Sequence, residues 1–495
     1  QVANALIDVY VNCGSMMTAQ QVFDKLEARD VVSWNTLISG YSEHNCDNKV
    51  IECIEHMKED GVALDDVTLV CSVKACGKLG YRSKGREIHT EIIKKGLDQV
   101  LTISNTLIDK YAKCHSLTEA QIVFDKLRCR NVVSWNTLIT GYVEQGNYRK
   151  ALECFQRMLC DGITPDDITL LCCVKSCANI GSARKGQEIH SEIAKKGYEQ
   201  GLLIGNSLID MYSKCGLLAA AEETFDRMVN RDVISWNALI SGYVEHGQNL
   251  KALDSFNRMK DHGAIPADHV TFVCSFKACG NEGILDNGRD MHAEIIMKGM
   301  EIDLFVGNIM VDMYARCCAL EEARNVFNNL PTRSLASWNA LVAGYAQLGG
   351  TENVFCMLVK MIGEGVAPNE VSFIGILNAC SHTGLVDEGK EYFASMTTNY
   401  GIIPTLEHHT CMIDLFGRAG HFDEAVEAIK RMPTLDYLPM WSSLSGSCQI
   451  WGNVEVGKLA FDHCVQLDEH HVAGYVNMRN IFAADSALEE NRSME

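Results

Sequence analysis

Three His-x-Glu triplets could in principle take part in catalysis: His89/Glu91, His190/Glu192 and His292/Glu294. In zinc deaminases such a triplet supplies a metal ligand and the general acid/base, and a Pro-Cys-x-x-Cys string supplies the remaining ligands. The chain has no Cys-x-x-Cys, no phosphate-binding glycine loop and no nucleophile elbow. The triplets recur after 101 and 102 residues. We therefore interpret them as features of a repeat, and we predict no catalytic site, no metal and no cofactor.

Twenty-two cysteines could form a disulfide framework, metal sites or a set of small core residues. Their spacing favours the core. Eleven of them fall into three sets, and the members of each set occupy the same position of the repeat. The sets are Cys13/Cys114/Cys215/Cys317, Cys76/Cys177/Cys279/Cys380 and Cys71/Cys172/Cys274. We expect buried structural thiols in a reducing compartment, with metal ligands, disulfides or redox cysteines as the alternatives.

A long internal repeat positions all of these residues. Trp34, Trp135, Trp236 and Trp338 are separated by 101, 101 and 102 residues. Nearly identical strings surround them: VVSWNTLISGY, VVSWNTLITGY, VISWNALISGY and LASWNALVAGY. Two further strings, beginning NALIDVY and VTLVCSV, recur at the same spacing and divide the period into units of 31, 35 and 35 residues. Periods of 20–50 residues are typical of solenoids.

Each unit reads as two antiparallel helices. In unit 31–65, Asp30 is the expected N-cap, and Gly40 with the 45–48 stretch is expected to end the first helix. The apolar face of the first helix is formed by Trp34, Leu37, Ile38 and Tyr41. The apolar face of the second helix is formed by Val50, Ile51, Ile54 and Met57. Gly61 is expected to close the second helix. With only seven prolines and no apolar run of 18 residues, we expect long helices and no membrane span.

These strings, together with GREIH, GQEIH and GRDMH, resemble the plant-type pentatricopeptide repeat family, in the subclass that alternates P, L and S repeats. The resemblance implies an all-α fold, a right-handed superhelical α-solenoid of helix-turn-helix repeats. It places alternating repeats over 1–369 and terminal L and S repeats over 370–437. An E-like helical extension, expected to be truncated, covers 438–495. S units are 1–30, 101–131, 202–232 and 304–334, P units are 31–65, 132–166, 233–268 and 335–369, and L units are 66–100, 167–201 and 269–303.

The resemblance also implies single-stranded RNA binding, with one base read per P or S unit by its fifth and closing residues. The pairs are Asn4/Asp30, Asn35/Asp65, Asn105/Asn131, Asn136/Asp166, Asn206/Asp232, Asn237/Asp268, Asn308/Ser334 and Asn339/Asn369. In the family, Asn/Asp pairs favour uridine, and Asn/Asn or Asn/Ser pairs favour pyrimidines, leaning to cytidine. The expected strand is U-U-x-Y-U-x-U-U-x-C-Y. An ordinary cap or turn role is the alternative for these residues.

The L units supply the unread positions x, because their fifth residues are aliphatic: Val70, Leu171, Val273 and Ile374. We expect them to be spacers or contact surfaces. The last S unit offers Thr410, but its closing residue aligns with Tyr437, so its base cannot be assigned.

Charge is the main objection to RNA binding, since the net charge is −20 and an RNA-binding surface should carry a basic stripe. The resemblance places the thirteenth residue of each S unit near phosphates, and these residues are Lys113, Lys214, Arg316 and Arg418. The P units carry Glu43, Glu144, Glu245 and Gln347 there instead. We therefore expect modest, salt-sensitive binding, with plain surface charge as the alternative.

The resulting prediction is a non-enzymatic specificity factor for organellar C-to-U RNA editing. It would bind single-stranded pyrimidine-rich RNA in a mitochondrion or chloroplast. A deaminase or other editing-complex proteins would dock through the E-like tail and the L repeats. The alternatives are a scaffold or structural component of an organellar ribonucleoprotein, or an RNA stability or splicing factor.

Overall fold

The computed structural model describes residues 2–261, 263, 265–299, 304–432, 434 and 436–494. Across them the chain forms α-helices and one short 3-10 turn, Tyr198–Gln200, with no β-strand. The helices up to residue 245 are α1 Val2–Asn12, α2 Met16–Asp24, α3 Val31–Glu43, α4 Asp47–Glu59, α5 Asp66–Leu79, α6 Arg82–Lys94, α7 Leu101–Lys113, α8 Leu117–Lys126, α9 Val132–Glu144, α10 Tyr148–Cys160, α11 Asp167–Ile180, α12 Ala183–Lys195, α13 Leu202–Lys214, α14 Leu218–Arg227 and α15 Val233–Glu245.

The later helices continue the same alternation. They are α16 Asn249–Asp261, α17 His269–Glu282, α18 Leu285–Met297, α19 Leu304–Arg316, α20 Leu320–Asn329, α21 Leu335–Gln347, α22 Thr351–Gly363, α23 Glu370–Thr383, α24 Val386–Thr398, α25 Leu406–Arg418, α26 Phe422–Lys430, α27 Leu438–Trp451, α28 Val454–Leu467 and α29 Val472–Met494. The fold is an all-α helical-repeat solenoid, as predicted. None of the described helices is both long and apolar enough to cross a membrane.

Two compact units make up the chain, Gln1–Gly242 and Tyr243–Glu495, and their boundary falls within α15. Inside each, the odd-numbered helix begins a repeat and packs against the odd-numbered helix of the next repeat, as α5 does against α7 and α23 against α25. Most even-numbered helices pack on their own partner and on the following first helix, as α4 does on α3 and α5. The first helices therefore form a row within each compact unit, and one face of that row is left uncovered by the second helices.

The closing residue of one unit caps the first helix of the next. Asp30 Oδ1 accepts from the Ser33 backbone N at 2.8 Å, and the Ser33 hydroxyl lies 2.9 Å from the Asp30 backbone N, which completes a capping box. Asp65 and Asp166 form the same box. Such caps typically contribute about 1 kcal/mol each. The N-cap predicted at Asp30 is confirmed.

Gly40 does not break its helix, contrary to our expectation. Helix α3 runs through Gly40 to Glu43, and α4 already begins at Asp47, inside the stretch we expected to be a loop. A Cβ on Gly40 would lie 2.6 Å from Val11 Cγ2 of the preceding first helix. Glycine is needed there for close helix packing, a requirement that a sequence pattern alone does not distinguish from helix breaking. Gly61, by contrast, follows the end of α4 with φ of +75°, as predicted.

The repeated tryptophans lie in the core, with 0–2% exposure for Trp34, Trp135, Trp236 and Trp338. A phenylalanine from the preceding unit meets each indole edge-on at 4.5–4.6 Å, and the pairs are Phe23–Trp34, Phe124–Trp135, Phe225–Trp236 and Phe327–Trp338. An arginine lies 4.6–5.2 Å from each phenylalanine centroid, namely Arg29, Arg130, Arg231 and Arg333. This cluster joins each S unit to the following P unit.

The cysteine prediction holds for most positions but not all. Cys76, Cys177, Cys279 and Cys380 are fully buried, and all cysteines of the chain are free thiols. Cys13 is exposed, and Cys215, Cys274 and Cys317 are only half-buried. The thiols of the Cys13 set lie at or just past the end of a first helix, where packing is incomplete. The repeat position therefore does not bury its thiol in every unit.

Candidate nucleic-acid interface

The fold brings the fifth residue of a unit against the closing residue of the same unit. In four units the fifth-residue amide Nδ2 donates to that closing side chain. The distances are 2.6 Å for Asn35–Asp65, 2.8 Å to both oxygens for Asn136–Asp166, 3.0 Å for Asn206–Asp232 and 3.1 Å for Asn339–Asn369. Asn4 lies near enough to Asp30 to help lower the pKa of that carboxyl, after the larger effect of Ser33. The two side chains predicted to read one base are thus neighbours.

A third side chain, absent from our sequence reasoning, fixes the amide. The hydroxyl of the third residue in the next unit donates to Asn Oδ1: Thr169 to Asn136 at 2.5 Å, Ser235 to Asn206 at 2.6 Å and Ser372 to Asn339 at 2.6 Å. In these three units the amide oxygen accepts that bond and one Nδ2 hydrogen is used, so one N–H remains for a ligand. Asn35 Oδ1, by contrast, is buried and has no hydrogen-bond partner among the described residues. The Ser or Thr that recurs as the third residue of every P and L unit was the signal that could have revealed this network.

The remaining pairs are arranged differently. Asn105 Oδ1 and Asn308 Oδ1 are buried and have no hydrogen-bond partner within the described part of the chain. Their neighbouring hydroxyls on Ser134 and Ser337 turn instead towards Asn131 Oδ1 and the Ser334 carbonyl. Asn237 belongs to the first compact unit and Asp268 to the second.

Hydrogen bonding keeps the closing carboxylates ionised. Burial alone would raise the pKa of Asp166, but hydrogen bonds from Thr169 and Asn136 outweigh it and lower that pKa below its usual value. The pKa of Asp232 is lowered in the same way through Ser235 and Asn206. The backbone and hydroxyl of Ser33 lower the pKa of Asp30. At neutral pH these side chains are acceptors only.

Exposed apolar side chains flank the pairs, and our sequence reasoning missed them. The second residue of most first helices is aliphatic or aromatic and 44–63% exposed. These residues are Val32, Val67, Val133, Ile168, Leu203, Ile234, Val270, Phe305 and Val371. Each lies three residues before the fifth residue and hence on the same helix face. They offer apolar surface against which a base could pack.

The four predicted phosphate contacts are already engaged. Each cation pairs with an aspartate one turn earlier on its own helix: Lys113–Asp109 at 2.7 Å, Lys214–Asp210 at 2.9 Å, Arg316–Asp312 at 2.8 Å and Arg418–Asp414 at 2.7 Å. The side chains on both sides are partly exposed. The aspartate four residues before each cation is not part of the sequence-based prediction. The local charge of this stripe is therefore close to zero.

The His-x-Glu triplets serve packing. His89 Nδ1 lies 2.8 Å from the Tyr111 hydroxyl, and His190 Nδ1 lies 2.7 Å from that of Tyr212. Glu91 pairs instead with Lys58 at 2.9 Å. Within the described residues, no group of three or more His, Cys, Asp or Glu side chains is arranged to hold a metal ion. The triplets thus join the second helix of an L unit to the next S unit.

Comparisons with known proteins agree with this architecture. The PPR repeat family model matches residues 29–78, 130–179 and 231–281, and the PPR repeat model matches 2–31, 102–132, 206–233, 336–366, 371–399 and 407–437. A pentatricopeptide repeat-containing protein of Arabidopsis thaliana is 35% identical over 98% of this chain and 58% of its own length. A chloroplastic relative from that plant is 34% identical over 98% of this chain and 60% of its own length. A mitochondrial relative is 35% identical over 97% of this chain and 56% of its own length.

The chain thus spans a little over half the length of these relatives, although another from Arabidopsis thaliana, 32% identical, is covered over 70% of its length. Among solved structures, the pentatricopeptide repeat protein PPR10 from maize matches 99% of this chain and 82% of its own, with a TM-score of 0.59 at 14% identity. PPR10 in complex with an 18-nucleotide psaJ RNA element matches 100% of this chain and 83% of its own, with a TM-score of 0.63 at 15% identity. Repeat strings, helical pairs and relatives together show that this chain belongs to the pentatricopeptide repeat family.

Proposed function

We propose that the chain binds single-stranded RNA and reads one base with each P or S unit. The observation that carries this proposal is the hydrogen-bonded Asn/closing-residue pair that recurs from unit to unit, as in Asn136–Asp166. Family members bind RNA in this one-base-per-repeat manner, and a solved structural neighbour, PPR10, is in complex with RNA.

The chemistry of an Asn/Asp pair suits uracil. Its Watson–Crick edge carries one N–H donor between two carbonyl acceptors. The free N–H of Asn136 can donate to a carbonyl, and the ionised Asp166 can accept from the ring N–H. Cytosine has an acceptor at the ring nitrogen, which a carboxylate repels. A closing Asn, as in Asn339–Asn369, can donate to that nitrogen.

Changing Asp166 to asparagine should therefore shift the base preferred at that unit from uridine to cytidine. Asn131 and Asn369 already cap the next helix from the same position, with Oδ1 accepting at 2.9 and 3.1 Å, so the D166N variant should keep the cap. The measurement is the dissociation constant for two strands that differ only at the base of this unit. We expect the uridine strand to lose and the cytidine strand to gain affinity; an unchanged ratio would remove support for base reading.

Releasing the paired cations should strengthen binding. In D109N/D210N, Lys113 and Lys214 lose their intramolecular partners and become available to phosphates. We expect higher affinity and a salt dependence of log K steeper by about 1.4, or roughly 0.7 per added phosphate contact on a single strand. Electrophoretic or fluorescence titrations over several salt concentrations measure this. The control E27Q/E153Q removes the same charge from exposed sites outside the first helices and should leave the slope unchanged.

We further propose that the chain acts in a mitochondrion or chloroplast as a specificity factor for C-to-U RNA editing, with the E-like segment 438–495 recruiting a deaminase. Relatives named chloroplastic and mitochondrial support the organellar part. The family resemblance of α27 and α28 to an E-type extension supports recruitment. Co-purification of a deaminase with the chain, lost when 438–495 is removed, tests it.

A scaffold within an organellar ribonucleoprotein is the second candidate. The net charge of −20 and the neutralised stripe at Lys113, Lys214, Arg316 and Arg418 favour it. A chain that binds no RNA but co-purifies with ribonucleoprotein components would fit this alternative.

A further inference from the structure

Three exposed lysines distinguish the L units from the other repeats. Lys74 on α5, Lys175 on α11 and Lys277 on α17 are exposed at the ninth residue of their units. None of the three forms an ion pair with any residue that the structure describes, whereas the four S-unit cations are all paired. Within the described part of 1–437, these three are therefore the exposed lysines and arginines of the first helices that form no ion pair, and they lie in units whose fifth residue is aliphatic.

The register of the helix places these lysines on the reading face. Lys175 follows Leu171 by four residues and the exposed Ile168 by seven, which is one face of a helix. Leu171 occupies the position of the reading asparagine in the neighbouring units. Lys74 and Lys277 have the same relation to Val70 and Val273. Each lysine thus lies one turn along its helix from the place where a base would be read.

The ninth residue has another chemistry in the other two unit types. In S units it is an aspartate that binds the cation at the thirteenth residue, as Asp210 binds Lys214. In P units it is Ser39, Thr140, Ser241 or Ala343. The preceding P-unit first helix ends in a glutamate, Glu144 for Lys175, yet the two side chains make no ion pair in the described structure. A lysine at the ninth residue of these L units therefore takes part in no ion pair among the residues that the structure describes.

We propose that Lys74, Lys175 and Lys277 are phosphate contacts that anchor the RNA backbone at the unread nucleotides, and this inference rests on the RNA-binding function proposed above. An ammonium group binds phosphate oxygen without regard to the base, so an L unit positions the strand while its neighbours specify it. The aliphatic fifth residue then leaves the base unselected. The last L unit has Asn378 in place of lysine, and that side chain accepts from the Cys411 thiol at 3.1 Å, so no anchor is assigned there.

The test is a salt titration of RNA binding by K74Q/K175Q/K277Q. Its control is K94Q/K185Q/K251Q, which removes the same charge from exposed lysines on the second helices α6, α12 and α16. Both variants and the wild-type chain are titrated with the predicted pyrimidine strand and with a purine strand of equal length. We expect the salt slope of the first variant to fall by about 2, at roughly 0.7 per phosphate contact. Both strands should lose the same factor in affinity, and the control should bind as the wild type does.

The outcomes separate this inference from base reading. If the wild type prefers the pyrimidine strand but the triple variant binds with the salt slope and affinity of the wild type, the three lysines do not contact phosphates and base reading stands. The lysines would then serve another ligand, such as an acidic protein. If the variant loses slope while the wild type shows no strand preference, the anchors stand and base reading falls. A wild-type chain that binds neither strand overturns both.

Discussion

Replacing Asn136 and Asn206 together with alanine should weaken binding to the pyrimidine strand by about 2–6 kcal/mol, since a base contact is worth about 1–3 kcal/mol. Each substitution removes the amide N–H that is left free while the hydroxyl of Thr169 or Ser235 holds the amide oxygen. Binding to a purine strand should change little, because phosphate contacts remain. Titration of both strands with the purified variant measures the difference.

The matched control is N179A. Asn179 is exposed on an L-unit helix, and its amide donates to the Lys175 carbonyl at 2.8 Å, so its loss should leave both affinities unchanged. The reading variant should stay folded, because the Thr169 backbone N–H still donates to Asp166 Oδ1 at 2.9 Å. The Thr169 hydroxyl, 2.8 Å from the same oxygen, can donate to it once the Asn136 amide is removed. Equal losses on the two strands, or none on either, would contradict a reading role for these asparagines.

Lys110 is expected to destabilise the fold, so K110M should raise the free energy of unfolding by about 1–3 kcal/mol, the usual cost of an unpaired buried polar group. Lys110 is fully buried, and its Nζ has no hydrogen-bond partner within the described structure. The nearby Tyr111 ring, 3.6 Å from Nζ, compensates only in part. Met211 and Met313 fill the same position in later S units, against Gly186 and Gly288, so methionine fits the site.

The advantage of K110M should shrink as pH rises. Burial lowers the pKa of Lys110 below 10.5 in the folded chain. The unfolded chain therefore holds the proton more tightly, and the wild type gains stability as pH rises from the folded-state pKa towards 10.5. Denaturation midpoints of both proteins at neutral and alkaline pH test this, with the exposed Lys185 changed to methionine as the control. A variant that unfolds earlier than wild type, or a gain independent of pH, would refute this account of the site.

Most of the fold could be predicted from the repeat period of the sequence. Trp34 and its equivalents fixed the register, and the periodic apolar residues around them located both helices of each unit. Asp30 was identified as a cap because its side chain acts within one turn. These features depend on local sequence, which is why a single chain reveals them.

The features that were missed depend on contacts between units. Gly40 has the sequence pattern of a helix breaker. The side chain that requires a glycine there, Val11, belongs to another helix, so the sequence around Gly40 does not reveal this requirement. The ion pair between Lys113 and Asp109 was also missed, although the two residues are only four apart. That the aspartate neutralises the lysine follows only from the distance between their charged atoms. The hydroxyl of Thr169 and the burial of Lys110 likewise follow from how neighbouring helices meet.

The claim of sequence-specific recognition is tested by a binding experiment on the wild-type chain. It compares the dissociation constants of the wild-type chain for the strand U-U-x-Y-U-x-U-U-x-C-Y and for the same strand with purines at every read position, at one fixed salt concentration. We predict preference for the pyrimidine strand by at least about 100-fold, because several mismatches at about 1–3 kcal/mol each accumulate. Equal affinity for the two strands would contradict the claim.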